Sequence, residues 1–166
     1  MKKIISLLAI SSLLFSSCGV YNFTGGAVPP DVKTISIQNI YNESGQGPTN
    51  LSQNLTEKLK QYYQSNTKLL LVPSGADWRI EGKIVGYASS GVAPKANETS
   101  GSNRLTITVK ITFKNMKDEK QNFDQNFSFY GDYPQAQTLF DVESTLDNTI
   151  LDQIVLDIFQ KTTSNW

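Results

Sequence analysis

Basic side chains recur at even spacing in two segments of the chain, and each segment alternates apolar with polar residues. In an extended strand, residues an even number apart share a face, so we expect these cations on the polar faces of two strands. If the strands pair as a hairpin, the cations form one basic stripe, and Lys95 in the connecting loop lies above it. The residues concerned are Arg79 and Lys83 in the first segment, and Arg104, Lys110 and Lys114 in the second.

A basic stripe of this kind suits a ligand that carries phosphate groups. Arg and Lys donate charge-assisted hydrogen bonds to phosphate oxygens, which are stronger than hydrogen bonds between neutral groups. The alternative interpretation is a solvated sheet face on which Glu81 compensates part of the positive charge. The sequence leaves both interpretations open.

The composition excludes several classes of catalytic site. The chain of 166 residues has no His and one Cys, so it contains no Ser-His-Asp triad, no Cys-His pair, no His-bearing zinc site and no internal disulfide. Its 15 basic and 15 acidic residues balance, which argues against a strongly basic nucleic-acid binder. Carboxylates that could serve a glycosidase are scattered over expected solvent faces. We therefore predict a protein that is not an enzyme and that uses no metal or cofactor.

The first 17 residues have the pattern of an export signal. Lys2 and Lys3 precede an uncharged run of 12 residues, 4–15. As a helix this run would reach about 18 Å, against roughly 30 Å of bilayer hydrocarbon. We expect residues 1–17 to be a cleaved signal peptide rather than a membrane span.

Cys18 is the only cysteine and follows the small residues Ser16 and Ser17. This arrangement resembles the lipobox of bacterial lipoproteins, in which the peptidase cuts before the cysteine and the thiol receives diacylglycerol. Phe15 stands where leucine is usual. We expect lipidation at Cys18, and two or three acyl chains make such an anchor effectively permanent. The alternative is an ordinary secretory signal that leaves Cys18 as a free thiol.

Residues 18–31 are expected to be a flexible tether, because their Gly and Pro pairs oppose regular structure. Tyr21 and Phe23 stand on this tether without an obvious core partner. Since aromatic residues are enriched at interfaces, we predict that both contact a partner protein. Residues 32–166 are then expected to form a single domain.

Hydrophobic periodicity in this domain predicts the order β-α-β-β-β-α, with an optional short strand near Leu70. The first strand is expected over 32–41, and Asn50 with Gln53 resembles a capping box that opens the first helix. A long polar loop is expected from Ala88 to Asn103.

The second long helix is expected after Pro134, with Thr138 and Asp141 as its cap and Asp147 off its buried stripe. Together these elements predict an α+β domain. Its sheet has three or four strands, and two helices pack on one face.

Residues spread over the whole mature chain resemble the LptE family of lipopolysaccharide-assembly lipoproteins, in its Bacteroidetes form. The resemblance is a pattern over the chain and includes no catalytic motif. It is carried by residues 18–25 (CGVYNFTG), 29–37 (PPDVKTISI), 103–109 (NRLTITV) and 164–166 (SNW).

The resemblance implies a βαβββα-type outer-membrane lipoprotein that binds LptD, a large β-barrel, and sits as a plug inside its lumen. The pair delivers lipopolysaccharide to the outer leaflet, and LptE proteins also contact lipopolysaccharide itself. On this basis we expect an LptD-type β-barrel and lipopolysaccharide as partners, the latter on the basic stripe. The absence of an acidic run after Cys18 favours the periplasmic side of the outer membrane, with the N-terminal lipid as anchor.

Two other functions remain as alternatives. One is an accessory lipoprotein of another envelope transport or secretion complex, which would handle a different ligand. The other is a cell-envelope hydrolase that uses a pair of carboxylates, and the absence of His makes it the weaker of the two.

Overall fold

The computed structural model describes residues 28–93 and 101–164. Four residues with predicted roles, Cys18, Tyr21, Phe23 and Lys95, lie outside the described residues, as does the predicted signal peptide. The elements in chain order are β1 (Thr34–Ile37), β2 (Tyr41–Asn42), α1 (Leu51–Asn66), β3 (Leu70–Leu71), β4 (Trp78–Val92), β5 (Ser102–Asn115), a 3-10 turn (Glu119–Gln121), β6 (Phe123–Pro134) and α2 (Leu139–Thr163).

The strands form one mixed, six-stranded sheet in the order β3-β1-β4-β5-β6, and β2 pairs with β4. The pairs that involve β1, β2 or β3 are parallel, whereas β4, β5 and β6 are antiparallel. The α+β class with two helices is confirmed, but the predicted sheet of three or four strands is too small. The apolar run near Leu70 forms β3, and the predicted first strand divides in two.

The first strand divides because it has one residue more than the stretch of β4 beside it. Ile37 pairs with Ile80 and Tyr41 pairs with Lys83, so four steps along the first strand match three along β4. The extra residue turns Ile40 into the core, where it is 4% exposed. Extra residues of this kind bend a strand and re-aim its side chains.

One face of the sheet and both helices enclose the hydrophobic core. The predicted alternation of β5 is confirmed: its odd-numbered residues from 105 to 113 are at most 1% exposed. Burying each such side chain stabilises the fold by about 1.5–3 kcal/mol relative to leaving it in water. The helices contribute Leu51, Leu55, Leu59 and Tyr63 from α1, and Ile150, Leu151, Ile154, Val155, Ile158 and Phe159 from α2.

The two helices begin in different ways. At α2 the predicted cap is confirmed, because the Thr138 amide and hydroxyl both donate to the Asp141 carboxylate, at 3.1 and 2.6 Å. At α1 the predicted capping box is wrong: the Asn50 side chain makes no capping hydrogen bond, and Gln53 donates to Glu57 instead. Within residues 28–93 and 101–164, neither helix is long and apolar enough to cross a bilayer.

The predicted polar loop from Ala88 to Asn103 is wrong at its two ends, where residues 88–92 and 102–103 belong to strands. β4 continues to Val92 and β5 begins at Ser102, so the two strands form a long hairpin. The register shifts between Ile84 and Gly86. We call residues 78–84 with 109–115 the inner hairpin, and residues 86–92 with 102–108 the outer hairpin.

The position of Asp147 also corrects the sequence prediction. This residue was expected off the buried stripe of α2, yet it is 5% exposed. The Tyr87 hydroxyl of the outer hairpin reaches it from the sheet, at 3.2 Å from Oδ1. A polar partner 60 positions away in the sequence is what allows a carboxyl group at this place.

Candidate functional site

The hairpin register places four of the predicted cations directly opposite one another. Arg79 faces Lys114, and Lys83 faces Lys110, on the side of the sheet away from the helices. Directly opposed residues on an antiparallel pair have Cβ atoms about 5 Å apart, and like charges there are destabilising. The inner hairpin therefore holds two cation pairs, separated by the Glu81–Thr112 pair, that the fold alone does not favour.

Carboxylates on β4 itself and on neighbouring elements compensate part of this charge. Lys83 Nζ lies 2.8 Å from Glu43, Lys110 Nζ lies 3.1 Å from Asp124, and Arg79 Nε lies 2.6 Å from Glu81. The cationic side chains are between 41% and 50% exposed. Ion pairs this exposed contribute only about 0–1 kcal/mol. An anionic ligand can therefore take the place of a carboxylate at little cost.

An open cleft of about 710 Å³ lies over the inner hairpin on this face. Three of the predicted cations line it, namely Arg79, Lys83 and Lys110, together with Lys60 from α1. Its acidic residues are Glu43, Glu81 and Asp124, so the cleft carries one excess positive charge. Other lining residues include Gln38, Asn39, Tyr41 and Thr112. This mixture of charges, amides and a phenol suits a polar, anionic ligand.

Sequence reasoning missed Lys60 and Tyr41, because tertiary contacts bring them to the cleft. The Ile40 amide donates to the Thr56 hydroxyl at 3.0 Å, which holds the link between β1 and β2 against α1. Lys60 follows Thr56 by one helical turn and so lies beside that link. Tyr41 pairs with Lys83 and is 70% exposed. The signal that could have found Lys60 is a polar stripe, at 56 and 60, beside the apolar one.

The other predicted cations lie outside the cleft. Arg104 is in the outer hairpin, where its Nε and Nη2 donate to both oxygens of Asp132, at 2.7 and 2.8 Å. Its guanidinium carbon lies 3.6 Å from the centre of the Tyr130 ring. The hydrogen bonds to Asp132 raise the pKa of Arg104 further. Arg104 is thus already occupied by two partners, whereas Lys114 is exposed and makes no ion pair within the described part of the chain.

The protein is a small α+β domain with an open cleft lined by charged residues. Within the described ranges, no three metal-ligating side chains come together. Two solved structures share the fold. A minor lipoprotein from Acinetobacter baumannii is 17% identical, with 81% of this chain and 94% of that chain covered and a TM-score of 0.53. An uncharacterized lipoprotein B from Nitrosomonas europaea is 14% identical, with 80% and 83% covered and a TM-score of 0.51.

The family comparison is more specific than these structural likenesses, which show the fold alone. The model of the LptE family, described as lipopolysaccharide-assembly, matches residues 32–162. The chain belongs to the LptE family of lipopolysaccharide-assembly proteins, and the resemblance found in the sequence is confirmed. Members of this family are non-catalytic envelope lipoproteins. No curated protein sequence matches the chain.

Proposed function

We propose that this protein is an outer-membrane lipoprotein that partners an LptD-type β-barrel and helps to assemble lipopolysaccharide. Its lipid anchor is Cys18, on the periplasmic side of the membrane. Its role is structural: it orders the barrel and holds phosphate groups of lipopolysaccharide in the cleft. Tyr21 and Phe23, close to the anchor, contact the barrel. Family membership supports the pathway, and the charge pattern of the cleft supports the ligand contact.

One observation carries the ligand proposal: Lys83 lies directly opposite Lys110, and both line the cleft. A sheet that served only as a solvated face would place opposite charges or neutral residues across from each other. Two ammonium groups at adjacent strands can instead reach two oxygens of one phosphate or two phosphates of one headgroup. Arg79 extends this arrangement by one more cation along β4, and Lys60 adds another from the helix.

The ligand proposal is tested with the double variant Lys83→Gln, Lys110→Gln. Binding of purified lipopolysaccharide is measured at low and at moderate salt. We expect an affinity loss of about tenfold or more, which corresponds to about 1.4 kcal/mol, and a weaker dependence on salt. The matched control is Arg104→Gln, which removes a cation from the same face outside the cleft. We expect this control to bind nearly as well as the parent protein.

The two variants separate the cleft from the stripe as a whole. If Arg104→Gln weakens binding as much as the double variant, the ligand contacts the whole length of the hairpin, as the sequence suggested. If the double variant binds like the parent at low salt, the cations are a solvated face and the ligand proposal is wrong.

The partner proposal is tested by affinity purification of the tagged protein from detergent-extracted membranes. A stoichiometric β-barrel of LptD type among the co-purifying proteins is the expected result. A different membrane complex would instead support the accessory-lipoprotein alternative. A Cys18→Ser variant, purified by the same procedure, checks the anchor: the acyl mass that the parent protein carries at its N-terminus should be absent from the variant.

A further inference from the structure

Tyr87, Glu143 and Asp147 form a polar cluster between the outer hairpin and α2. The Tyr87 hydroxyl lies 2.8 Å from a Glu143 oxygen and 3.2 Å from Asp147 Oδ1. Glu143 and Asp147 are one helical turn apart, so both carboxyl groups face the same phenol. This cluster plays no part in the cleft, which lies on the opposite face of the sheet.

The single phenol hydrogen of Tyr87 cannot make two full hydrogen bonds to two ionised carboxylates. A phenol has one hydrogen to donate, and an ionised carboxylate can only accept. If Tyr87 donates to Glu143, the contact with Asp147 is a hydrogen bond only when Asp147 itself carries a proton and donates it to the phenol oxygen. Asp147 is 5% exposed, and its Oδ2 has no hydrogen-bond partner within the described ranges. A buried carboxylate with one oxygen unpartnered is costly to ionise, which favours the proton on Asp147 rather than on Glu143.

Among the described residues, no cation is found to act on Asp147. From the sheet side, Tyr87 is the titratable group that faces Asp147, and from its own helix it is Glu143. The segment before α1 and the start of α1 place Gly47 and Leu51 next to the Tyr87 ring. Charged side chains of these segments have other partners: Glu43 pairs with Lys83, Lys58 pairs with Asp152, and Glu57 accepts a hydrogen bond from Gln53.

We propose that the Asp147 carboxyl keeps its proton in the docked structure, and that loss of this proton loosens the contact between the outer hairpin and α2. With both carboxyl groups ionised, one phenol hydrogen serves two acceptors, and two negative charges lie one turn apart. The register shift beside Gly86 gives β4 a point at which the outer hairpin can move while the inner hairpin stays paired. Burial is the largest cause of a raised pKa at Asp147; the Glu143 charge adds to it, the Tyr87 hydrogen bond opposes it, and together they place the pKa at about 6. Burial also keeps the Tyr87 phenol protonated, by raising its pKa.

The experiment measures amide hydrogen exchange in the detergent-solubilised protein purified from membranes, between pH 5 and pH 7.5. After correction for the intrinsic rates, exchange in residues 86–92 and 102–108 is compared with exchange in residues 78–84. For the parent protein, we expect exchange in the outer hairpin to rise about tenfold relative to the inner hairpin as the pH increases from 5 to 7.5. This rise, the pH step, is expected because the pKa of Asp147 is near the ordinary value for Asp in the opened state and about 6 in the docked state.

Two variants of α2 decide the result. Asp147→Asn keeps the shape and the neutral charge, so the pH step should disappear. Asp152→Asn, an exposed change on the same helix, should retain it. A parent protein without a step, or an Asp147→Asn variant with an unchanged step, would overturn the proposal.

If Asp147→Asn does not fold, Glu143→Gln decides the question instead. Removing the Glu143 charge should move the step to lower pH, because that charge raises the pKa of Asp147. If Glu143 only holds the helix against the hairpin, Glu143→Gln would raise exchange at every pH and leave the midpoint of the pH step unchanged. An unchanged midpoint would therefore also contradict the proposal.

Discussion

The inner and outer parts of the β4–β5 hairpin are built from the same two strands but differ in how their polar groups are satisfied. In the inner hairpin, like charges face each other across the strands and depend on carboxylates from other elements. In the outer hairpin, Arg104 is held on the same face by both Asp132 and Tyr130. The register shift beside Gly86 separates the two parts.

This difference suggests where function has shaped the sequence. Local choices in a natural sequence usually agree with the fold, and disagreements concentrate at functional sites. The Lys83–Lys110 pair disagrees with the sheet that carries it, whereas the Arg104–Asp132 pair supports the sheet. The inner hairpin is therefore the candidate for ligand contact, and the polar face of the outer hairpin is a structural contact.

The largest expected difference between the two parts comes from glycine replacements. A Cβ on Gly82 would lie 2.6 Å from the Ile111 side chain and 3.0 Å from the Lys110 carbonyl oxygen, whereas one on Gly91 would meet only Asn103, at 4.0 Å. We expect Gly82→Ala to destabilise the fold by about 2 kcal/mol, in the range of overpacked cores. Gly91→Ala should change stability by less than about 0.5 kcal/mol. Urea unfolding of both variants measures these effects. Equal losses would mean that the two parts of the hairpin do not differ in packing.

The sequence predicted the parts of this hairpin in which periodicity is strong. The alternation of Leu105 to Phe113 identified β5, and the even spacing of the cations identified the polar face. The α2 cap was predictable because Thr138 and Asp141 interact within one turn. Each of these features depends on residues that are close in sequence, so a short segment of the sequence is enough to predict it.

The features that escaped prediction depend on long-range contacts. The segment from Ala88 to Ser90 has no apolar alternation, and only its pairing with β5 makes it a strand. Lys60 reaches the cleft because Thr56 binds the link between β1 and β2. Asp147 is buried because Tyr87 reaches it from another element. Of these contacts, only that of Lys60 leaves a local signal in the sequence, the polar stripe at 56 and 60.

Acid should affect the inner end of the sheet through Asp77. Its Oδ2 accepts hydrogen bonds from the Lys33 amide, the Thr34 amide and the Thr34 hydroxyl, at 2.9, 3.1 and 3.0 Å. These bonds, led by that of Lys33, lower the pKa of Asp77 to about 2. A lowered pKa means that the stabilisation is present above about pH 4 and is lost as the pH falls towards 2.

Replacing Asp77 tests this dependence. Asp77→Asn should be clearly less stable than the parent at pH 6, and the difference should shrink as the pH falls from 4 to 2. Urea unfolding over this range provides the measurement. In the outer hairpin, the pH dependence should have the opposite sign. Because the pKa of Asp147 is raised, its contribution to the free energy of unfolding is complete below about pH 4 and is lost as the pH rises through 6. A constant difference between Asp77→Asn and the parent would contradict the assignment.

A smaller loss is expected when the outer hairpin loses Arg104. Arg104→Thr removes the two hydrogen bonds to Asp132 and the contact with the Tyr130 ring, but introduces a residue that favours strands. The side chains of the ion pair are 33% and 42% exposed. Because solvent screens such a pair, we expect a loss of about 0.5–1 kcal/mol in the free energy of unfolding. A gain in stability would show that Arg104 is not a structural contact.

The smallest expected effect has the opposite sign and tests the comparison most directly. Lys110→Thr places the same residue at a position on the same strand and face, six residues farther along, but in the inner hairpin. It removes the repulsion from Lys83 and leaves Asp124, which is 53% exposed and loses little by becoming unpaired. We expect the free energy of unfolding to increase by a few tenths of a kcal/mol, while lipopolysaccharide binding weakens. A protein that gains stability and loses ligand affinity through one change has kept that lysine for binding rather than for folding. If Lys110→Thr instead destabilises the protein as much as Arg104→Thr, both cations stabilise the sheet. The charge pattern would then no longer support ligand binding in the cleft.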